Sequence, residues 1–223
     1  VLNSPFLKGL GNLKIEIWRK IPMGQSLTPR QIRSLQNIDR LVKTAITMFQ
    51  QQGYDAVTID DICAECGMSK GVFYYRFRSK EDLVAYAHKN FCDDHVSQQM
   101  KYDESQPLRT QLKDYLTAQF DFSKAFGKLL IARGLQGMFS AYHQKLTGDD
   151  VSWSEERDDK EESYSSYMVR RLSARGAREK AFRGGMSEME AAALLRSFVF
   201  GNRMMWLFHE PEPGECEDFP LSE

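Results

Sequence analysis

The chain has 223 residues, of which 42% are hydrophobic and 27% charged, and its formal net charge is −1. This composition is that of an ordinary globular protein and excludes a wholly disordered or collagen-like chain. No stretch approaches the ~20 apolar residues that cross a bilayer, and the near-zero net charge argues weakly against a nucleic-acid partner.

Residues 1–27 are predicted to form a leader or arm. They contain no continuous apolar run of the kind found in signal peptides, because basic residues interrupt the apolar ones. Met23 is a candidate start, which would make residues 1–22 a leader or a non-native extension. The one candidate strand, residues 13–17, is isolated and has nothing to pair with, so an all-α fold is predicted.

The first long helix is predicted to follow Thr28. Pro29 suits a first helical turn, and apolar residues then recur at spacings of three and four up to Phe49. Gly53 is placed to end this helix.

Two short helices joined by a turn are predicted next. Thr58 with Asp61 forms a capping-box pattern that opens the first of them. Gly67 suits the left-handed turn, and Ser69 is predicted to cap a second helix that ends at Phe77. This arrangement is the sequence pattern of a helix-turn-helix.

The rest of the chain predicts further helices, separated by breaks at Pro107, Gly184 and Gly185. Their predicted bounds are 79–100, 108–126, 129–142, 163–182 and 188–208. The acidic stretch 148–162 indicates a solvated loop or a charged helix entry, and the acidic, proline-rich tail 210–223 indicates disorder.

The second short helix concentrates hydrogen-bond donors. Cationic and phenolic groups on the outer face of a helix suit contacts with phosphates and base edges. The alternative interpretation is an ordinary helical hairpin in which the tyrosines pack in the core. The residues that carry the first interpretation are Ser69, Lys70, Gly71, Tyr74, Tyr75 and Arg76.

Residues 58–83 read TIDDICAECGMSKGVFYYRFRSKEDL and closely resemble the DNA-binding signature of the TetR family of transcriptional regulators. The preceding segments AITMF (45–49) and Gly53-Tyr54 resemble the end of the first helix of that family. The resemblance covers roughly residues 33–90. It implies a three-helix DNA-binding domain, a helical domain that binds an effector and dimerises, and two copies on a pseudo-palindromic double-stranded operator.

The resemblance also implies roles for individual residues. Thr58 and Lys80 are expected to hold phosphates, and Ser69, Lys70 and Gly71 to meet the major groove. Tyr74 and Tyr75 are expected to contact the DNA backbone or bases. Arg76 stands where a histidine is frequent and is expected to add a phosphate contact, whereas Cys66 stands where alanine is common.

The predicted organisation is a DNA-binding domain at 28–78 and a ligand-binding and dimerisation domain at 79–209. The function predicted from it is a cytoplasmic, ligand-responsive repressor that acts as a homodimer. No catalytic motif is present, so an enzyme is not expected, and no cofactor is expected. An adaptor protein or a transcriptional activator with the same DNA-binding domain remains an alternative.

Two further sets of residues are candidates in the second predicted domain. Aromatic and thioether side chains suit a pocket for an apolar or aromatic effector; the candidates are Phe120, Phe126, Met138, Phe139, Tyr142, Tyr164, Tyr167 and Met168. The last helix is apolar on more than one side and suits a dimer interface; the candidates are Leu195, Phe198, Val199, Asn202 and Trp206.

Cysteine and histidine usage offers two weaker patterns. Cys63 and Cys66 form a C-x-x-C motif, which we interpret as small buried residues because zinc would need a second pair. His88, Cys92 and His95 follow one stripe of a helix, a spacing that also suits a metal or a thiol sensor. Unrelated polar residues on one helix face are the interpretation we favour, and no metal is predicted.

Charge is unevenly distributed along the chain. Residues 1–91 carry 13 basic and 8 acidic residues, a net +5, while residues 92–223 carry 17 and 23, a net −6. Without residues 1–22 the basic excess falls to +2. Such polarity can orient the basic part towards DNA, but the prediction of DNA binding rests on the motif.

Overall fold

The computed structural model describes residues 28–147 and 162–209, and these residues form helices and connecting turns without strands. The predicted arm 1–27, the candidate strand 13–17, most of the acidic stretch and the tail 210–223 lie outside the described residues. Within the described ranges a short 3-10 turn at Arg183–Gly185 accompanies eight α-helices. These are α1 Pro29–Gln52, α2 Ile59–Cys66, α3 Lys70–Arg76, α4 Lys80–Gln99, α5 Leu108–Phe126, α6 Lys128–Thr147, α7 Tyr164–Arg178 and α8 Glu188–Phe208.

The ends of these helices follow local capping chemistry. The Thr28 and Gln31 side chains form a reciprocal capping box at the start of α1, and Pro29 is its first residue. At the other end Gly53 has a φ of 92°, which favours glycine, and its N–H donates to the Phe49 carbonyl. Ser187 and Glu190 form the same kind of box before α8. The predicted capping box at Ser187 and Glu190 and the predicted end of α1 at Gly53 are therefore confirmed.

Two helix bounds differ from the prediction. Helix α6 continues past Tyr142 to Thr147, whose hydroxyl donates to the His143 and Gln144 carbonyls. Helix α7 ends at Arg178 rather than at residue 182, because Lys180 adopts a left-handed φ of 52°. The chain then folds back so that the Phe182 ring lies directly over Gly176, where a side chain would clash with it.

The described residues divide into two compact units. The first unit comprises 28–94 with 125–147, and the second comprises 95–124 with 162–209. The predicted boundary at residue 78 falls inside the first unit, since α6 and most of α4 belong to it.

The core of the first unit is apolar. Helix α1 buries a stripe of residues, and α2, α3 and α4 add their own buried apolar side chains. Removing such surface from water is the main term that stabilises a small helical unit. The side chains that are at most 4% exposed include Leu41, Val42, Ile46, Phe49, Tyr54, Val57, Ile62, Phe73, Phe77, Leu83, Val84, Phe91, Leu130 and Ile131.

In the second unit, α7 and α8 pack against each other. Met168 and Leu172 of α7 are fully buried, and Val199 and Trp206 of α8 are buried as well. Helix α5 contributes buried side chains that are partly polar.

Candidate nucleic-acid interface

The turn between α2 and α3 has a fixed geometry. Thr58 and Asp61 form the predicted capping box at the start of α2, and their hydrogen bonds lower the pKa of the Asp61 carboxyl. Gly67 ends α2 with φ 62° and ψ 37°, the left-handed conformation that glycine adopts without strain. The Met68 N–H then donates to the Cys63 carbonyl at 2.8 Å, and α3 begins two residues later.

Helix α3 is held to the core by one of its faces. Phe73 and Phe77 are fully buried, with their ring centroids 5.8 Å apart, and the Phe77 ring also meets Tyr86 of α4. This anchoring turns the opposite face outward, where Tyr74 is 55% and Tyr75 87% exposed. An aromatic side chain left so open to solvent is typical of a binding surface.

The structure brings most of the predicted DNA-contact residues to the surface. Arg76 and Lys80 are only half-buried, and the others are exposed. The exposed ones are Thr58, Ser69, Lys70, Gly71, Tyr74 and Tyr75. Ser69 stands at the N-cap of α3, but its hydroxyl makes no capping hydrogen bond, contrary to the capping role predicted for it.

Lys70 is paired with Asp60. Its ammonium lies 2.7 Å from a carboxylate oxygen of Asp60, which raises the pKa of Lys70, and both side chains remain largely exposed. The ion pair joins the first turn of α2 to the first turn of α3. Sequence reasoning missed it, because the two residues are ten positions apart and only the turn brings them together.

Lys80 has contacts within the protein that the sequence did not indicate. Its ammonium donates to the Tyr54 carbonyl at 2.9 Å and to the Val57 carbonyl at 2.7 Å, and it lies 4.3 Å from the centre of the Tyr54 ring. These contacts tie the start of α4 to the connection between α1 and α2. Lys80 therefore helps to position the helix-turn-helix even when no DNA is bound.

Gly71 lies on the exposed side of α3. A Cβ added there would meet only the Ser69 hydroxyl, at an ordinary 3.6 Å. We expect Gly71→Ala to change the free energy of unfolding by less than about 1 kcal/mol, in the stabilising direction, because alanine favours a helix. If the α3 backbone approaches a DNA groove at this point, the same variant loses DNA affinity; thermal unfolding and a binding titration measure the two effects. Full DNA affinity would show that no close approach occurs.

A polar cleft of about 220 Å³ lies beside this region in the first unit. It is lined by Arg78, Ser79, Glu81, Asp82, Gln136, Gly137, Ser140 and Gln144. The Arg78 guanidinium spans it and donates to the Gln144 side chain at 2.6 Å. None of the residues predicted to line an effector pocket takes part.

The predicted effector-pocket residues differ in their surroundings. In the first unit Phe126 is buried, while Met138, Phe139 and Tyr142 are exposed on α6. In the second unit Phe120 and Met168 are buried, and Tyr164 and Tyr167 are half-buried with their rings in contact. The Tyr164 hydroxyl donates to the Met100 carbonyl at 2.9 Å.

The cysteine and histidine patterns form no metal site in the described part of the chain. Across residues 28–147 and 162–209 no group of three His, Cys, Asp or Glu side chains could hold a metal ion. Cys63, Cys66 and Cys92 are buried, and burial raises the pKa of the Cys63 thiol. His88 meets the edge of the Phe126 ring, and His95 lies beside Phe122.

The residues of the predicted dimer face lie on two sides of α8. Val199 and Trp206 are buried inside the second unit, Leu195 and Asn202 are half-buried, and Phe198 is 40% exposed. The apolar stripe that α8 leaves exposed includes Phe198 and lies on a different side of the helix from Val199 and Trp206. It consists of Leu194, Phe198, Met205 and Phe208, with Gly201 between them.

None of the helices in the described ranges has the length and hydrophobicity needed to cross a membrane.

The anchored α3, the left-handed turn and the exposed tyrosines together define a helix-turn-helix protein. The sequence profile described as "Bacterial regulatory proteins, tetR family" matches residues 41–87, which run from α1 into α4. Residues 41–87 of this chain are therefore similar to the N-terminal domain of that family.

Similarity to individual proteins is confined to part of the chain. The uncharacterized HTH-type transcriptional regulator YerO of Bacillus subtilis is 36% identical over 86 residues, which are 37% of this chain and 30% of that protein. YuxN of the same organism, also named an uncharacterized HTH-type transcriptional regulator, is 43% identical over 44 residues, 20% of this chain and 15% of its own length. IcaR of Staphylococcus aureus, the negative transcriptional regulator of the biofilm operon icaADBC, is 40% identical over 45 residues, 20% of this chain and 24% of that protein. The chain thus spans less than a third of each of these relatives, and no solved structure matches it at a significant level.

Proposed function

We propose that this protein is a dimeric, DNA-binding transcriptional regulator that represses its target until a small effector releases it from a pseudo-palindromic operator. The outward face of α3 carries the proposal, because it exposes Tyr74 and Tyr75 beside Lys70 while Phe73 and Phe77 fix the helix. Repression is the direction named for IcaR, which is 40% identical to this chain over 45 residues.

The contacts proposed on DNA combine the exposure of α3 with the roles that the family resemblance implies for the half-buried Arg76 and Lys80. Ser69, Lys70 and Gly71 open α3 and would enter the major groove, as recognition helices do with their first residues. Tyr74 and Tyr75 would contact bases or backbone further along the helix. Thr58, Arg76 and Lys80 would meet phosphates, whose attraction makes the affinity fall steeply as salt is raised.

A dimer is proposed because two recognition helices must reach half-sites about one DNA turn, ~34 Å, apart. The exposed stripe on α8 has spacings of four, three, four and three residues, the pattern by which helices pack side by side. Gly201, in the middle of it, has open space where a side chain would stand and so allows another helix to come close.

Placing a charge in this stripe should separate the subunits. We expect Phe198→Glu to raise the dissociation constant of the dimer about a hundredfold or more, since it would bury an unpaired carboxylate at the interface. Sedimentation velocity measures the change. The matched control is Met189→Glu, which alters an exposed apolar residue of α8 outside the stripe. A Phe198→Glu variant with the same mass in solution as the unaltered protein would exclude this face.

Effector release is proposed to act through the spacing of the two α3 helices. A shift of a few ångströms in that spacing would forfeit the contacts of one half-site and so lower operator affinity. The predicted pocket residues of the second unit remain candidates for this role; they are Phe120, Tyr164, Tyr167 and Met168.

Selection of bound duplexes from a random double-stranded DNA pool tests the proposed function. The expected result is enrichment of one pseudo-palindromic sequence, bound by two chains. Recovery of DNA with no common sequence would reject a sequence-specific regulator.

A further inference from the structure

Helix α5 carries a row of polar side chains on a buried face. Gln111, Tyr115, Gln119 and Ser123 follow one another at intervals of four residues, which places them on one side of the helix. Their exposed fractions are 1%, 3%, 3% and 0%. Burying polar groups costs free energy unless each of them finds a partner, so a row of this length needs an explanation.

Part of the row is satisfied within the second unit. The Gln119 amide donates to the Tyr115 hydroxyl at 3.2 Å and to the Ser165 hydroxyl of α7. The Ser123 hydroxyl donates to the Gln119 carbonyl at 2.9 Å. At the far end the side-chain oxygen of Gln111 is buried without a hydrogen-bond partner among the described residues.

Helix α8 brings an arginine to this row. The Arg203 Nε donates to the Ser123 hydroxyl at 3.1 Å, and one of its terminal nitrogens donates to the Gln119 side-chain oxygen at 3.3 Å. Arg203 is half-buried, and its neighbours on the inward face of α8 are Val199 and Trp206. The guanidinium therefore points towards the interior of the unit and away from the exposed stripe that we propose as the dimer face.

Arg203 has no acidic partner in the described part of the chain. Both of its hydrogen-bond acceptors are neutral, so no negative charge in the described residues pairs with it. The guanidinium group has five N–H donors, and these two hydrogen bonds leave the other donors unused. The arginines of α7 behave differently, since each forms an ion pair with a carboxylate; the pairs are Arg170–Glu162, Arg171–Glu104, Arg175–Glu179 and Arg178–Glu104. A partly desolvated cation without a counter-ion is costly, and an anion that binds there removes the cost.

We propose that Arg203 is the anchor for a small organic carboxylate, which would bind through the guanidinium N–H groups that Ser123 and Gln119 leave unused. A guanidinium group matches the two oxygens of a carboxylate, and the hydrogen bonds to Ser123 and Gln119 hold the guanidinium in a fixed orientation. A single cation balances one negative charge, which favours a monocarboxylate over a phosphate dianion. This inference rests on the proposed function, because it assigns the chemical class of the effector.

Calorimetric titration of the full chain tests the anchor. The probes are benzoate and octanoate, compared with the neutral amides benzamide and octanamide at matched ionic strength. We expect at least one carboxylate to bind, at least tenfold more tightly than its amide. Arg203→Gln should weaken that binding at least tenfold, while Arg196→Gln, an exposed arginine of the same helix, should leave it unchanged.

Thermal unfolding of each variant shows whether it folds. If Arg203→Gln does not fold, Arg203→Lys replaces it in the test, and we expect this variant to bind the carboxylate more weakly than the unaltered protein because it keeps the charge but lacks the fork. Equal binding of acid and amide, no binding of either carboxylate, or unchanged binding by the substituted protein would each overturn the anchor. A protein that binds selected DNA but no carboxylate would refute the anchor alone, whereas one that binds carboxylate but selects no DNA would refute the proposed regulator.

Discussion

Removing the Tyr74 and Tyr75 side chains together is expected to lower the affinity for selected DNA about a hundredfold or more, with little loss of stability. Each contact with a base or phosphate is typically worth ~1–3 kcal/mol, and each 1.4 kcal/mol is a tenfold change in affinity. Tyr75 is 87% exposed and Tyr74 55% exposed, so neither supports the core substantially. Fluorescence anisotropy with a labelled duplex measures the affinity, and thermal unfolding measures the stability.

The control for this double variant is Tyr142→Ala. Tyr142 lies on α6 and is 61% exposed, so its loss removes a similar surface tyrosine away from α3. We expect this variant to keep full DNA affinity. If the double alanine variant binds the duplex as tightly as the unaltered protein, α3 is not the recognition helix.

Adding a methyl group at Gly137 is expected to destabilise the first unit by about 1–3 kcal/mol. A Cβ at this position of α6 would lie 2.6 Å from the Glu81 carbonyl oxygen and 3.2 Å from the Asp82 nitrogen, in the first turn of α4. These neighbours are backbone atoms and cannot rotate away, so one helix would have to move. Urea unfolding of Gly137→Ala measures the loss.

Gly134 supplies a matched control one turn earlier on α6. A Cβ there would meet Val84 and Ala85 at 3.5–3.6 Å, which is ordinary contact. We expect Gly134→Ala to be neutral or to stabilise the protein by up to about 1 kcal/mol through helix propensity. Equal unfolding midpoints for the two variants would show that the close approach of α6 to α4 is not tight in solution.

The sequence predicts the helices well where their ends depend on local chemistry. Capping boxes such as Thr58–Asp61 and Ser187–Glu190 join residues three positions apart, so the pattern in the sequence is the interaction itself. The same applies to Gly67, whose left-handed conformation a short turn requires. The bounds of α7 were predicted less well, because its end depends on Phe182 folding back over Gly176.

The roles of the charged side chains could not be predicted in this way. Asp60 and Lys70, Lys80 and the Tyr54 carbonyl, and Arg203 and Ser123 are each brought together only by the folded chain. Nothing in the residue types distinguishes Arg203 from the paired arginines of α7. The face of α8 that packs inside the protein could not be predicted either, because a helix with two apolar faces can place either of them against its own core.

The most direct test of DNA recognition by α3 is a photo-crosslinking measurement. The chain is prepared with p-benzoylphenylalanine in place of Tyr75, and separately in place of the exposed Tyr142, and each protein is irradiated with the selected duplex. Recognition by α3 predicts a crosslink from position 75 to bases within both half-sites and none from position 142. Crosslinking from position 142 alone, or none from position 75 on a duplex that the protein demonstrably binds, would contradict it.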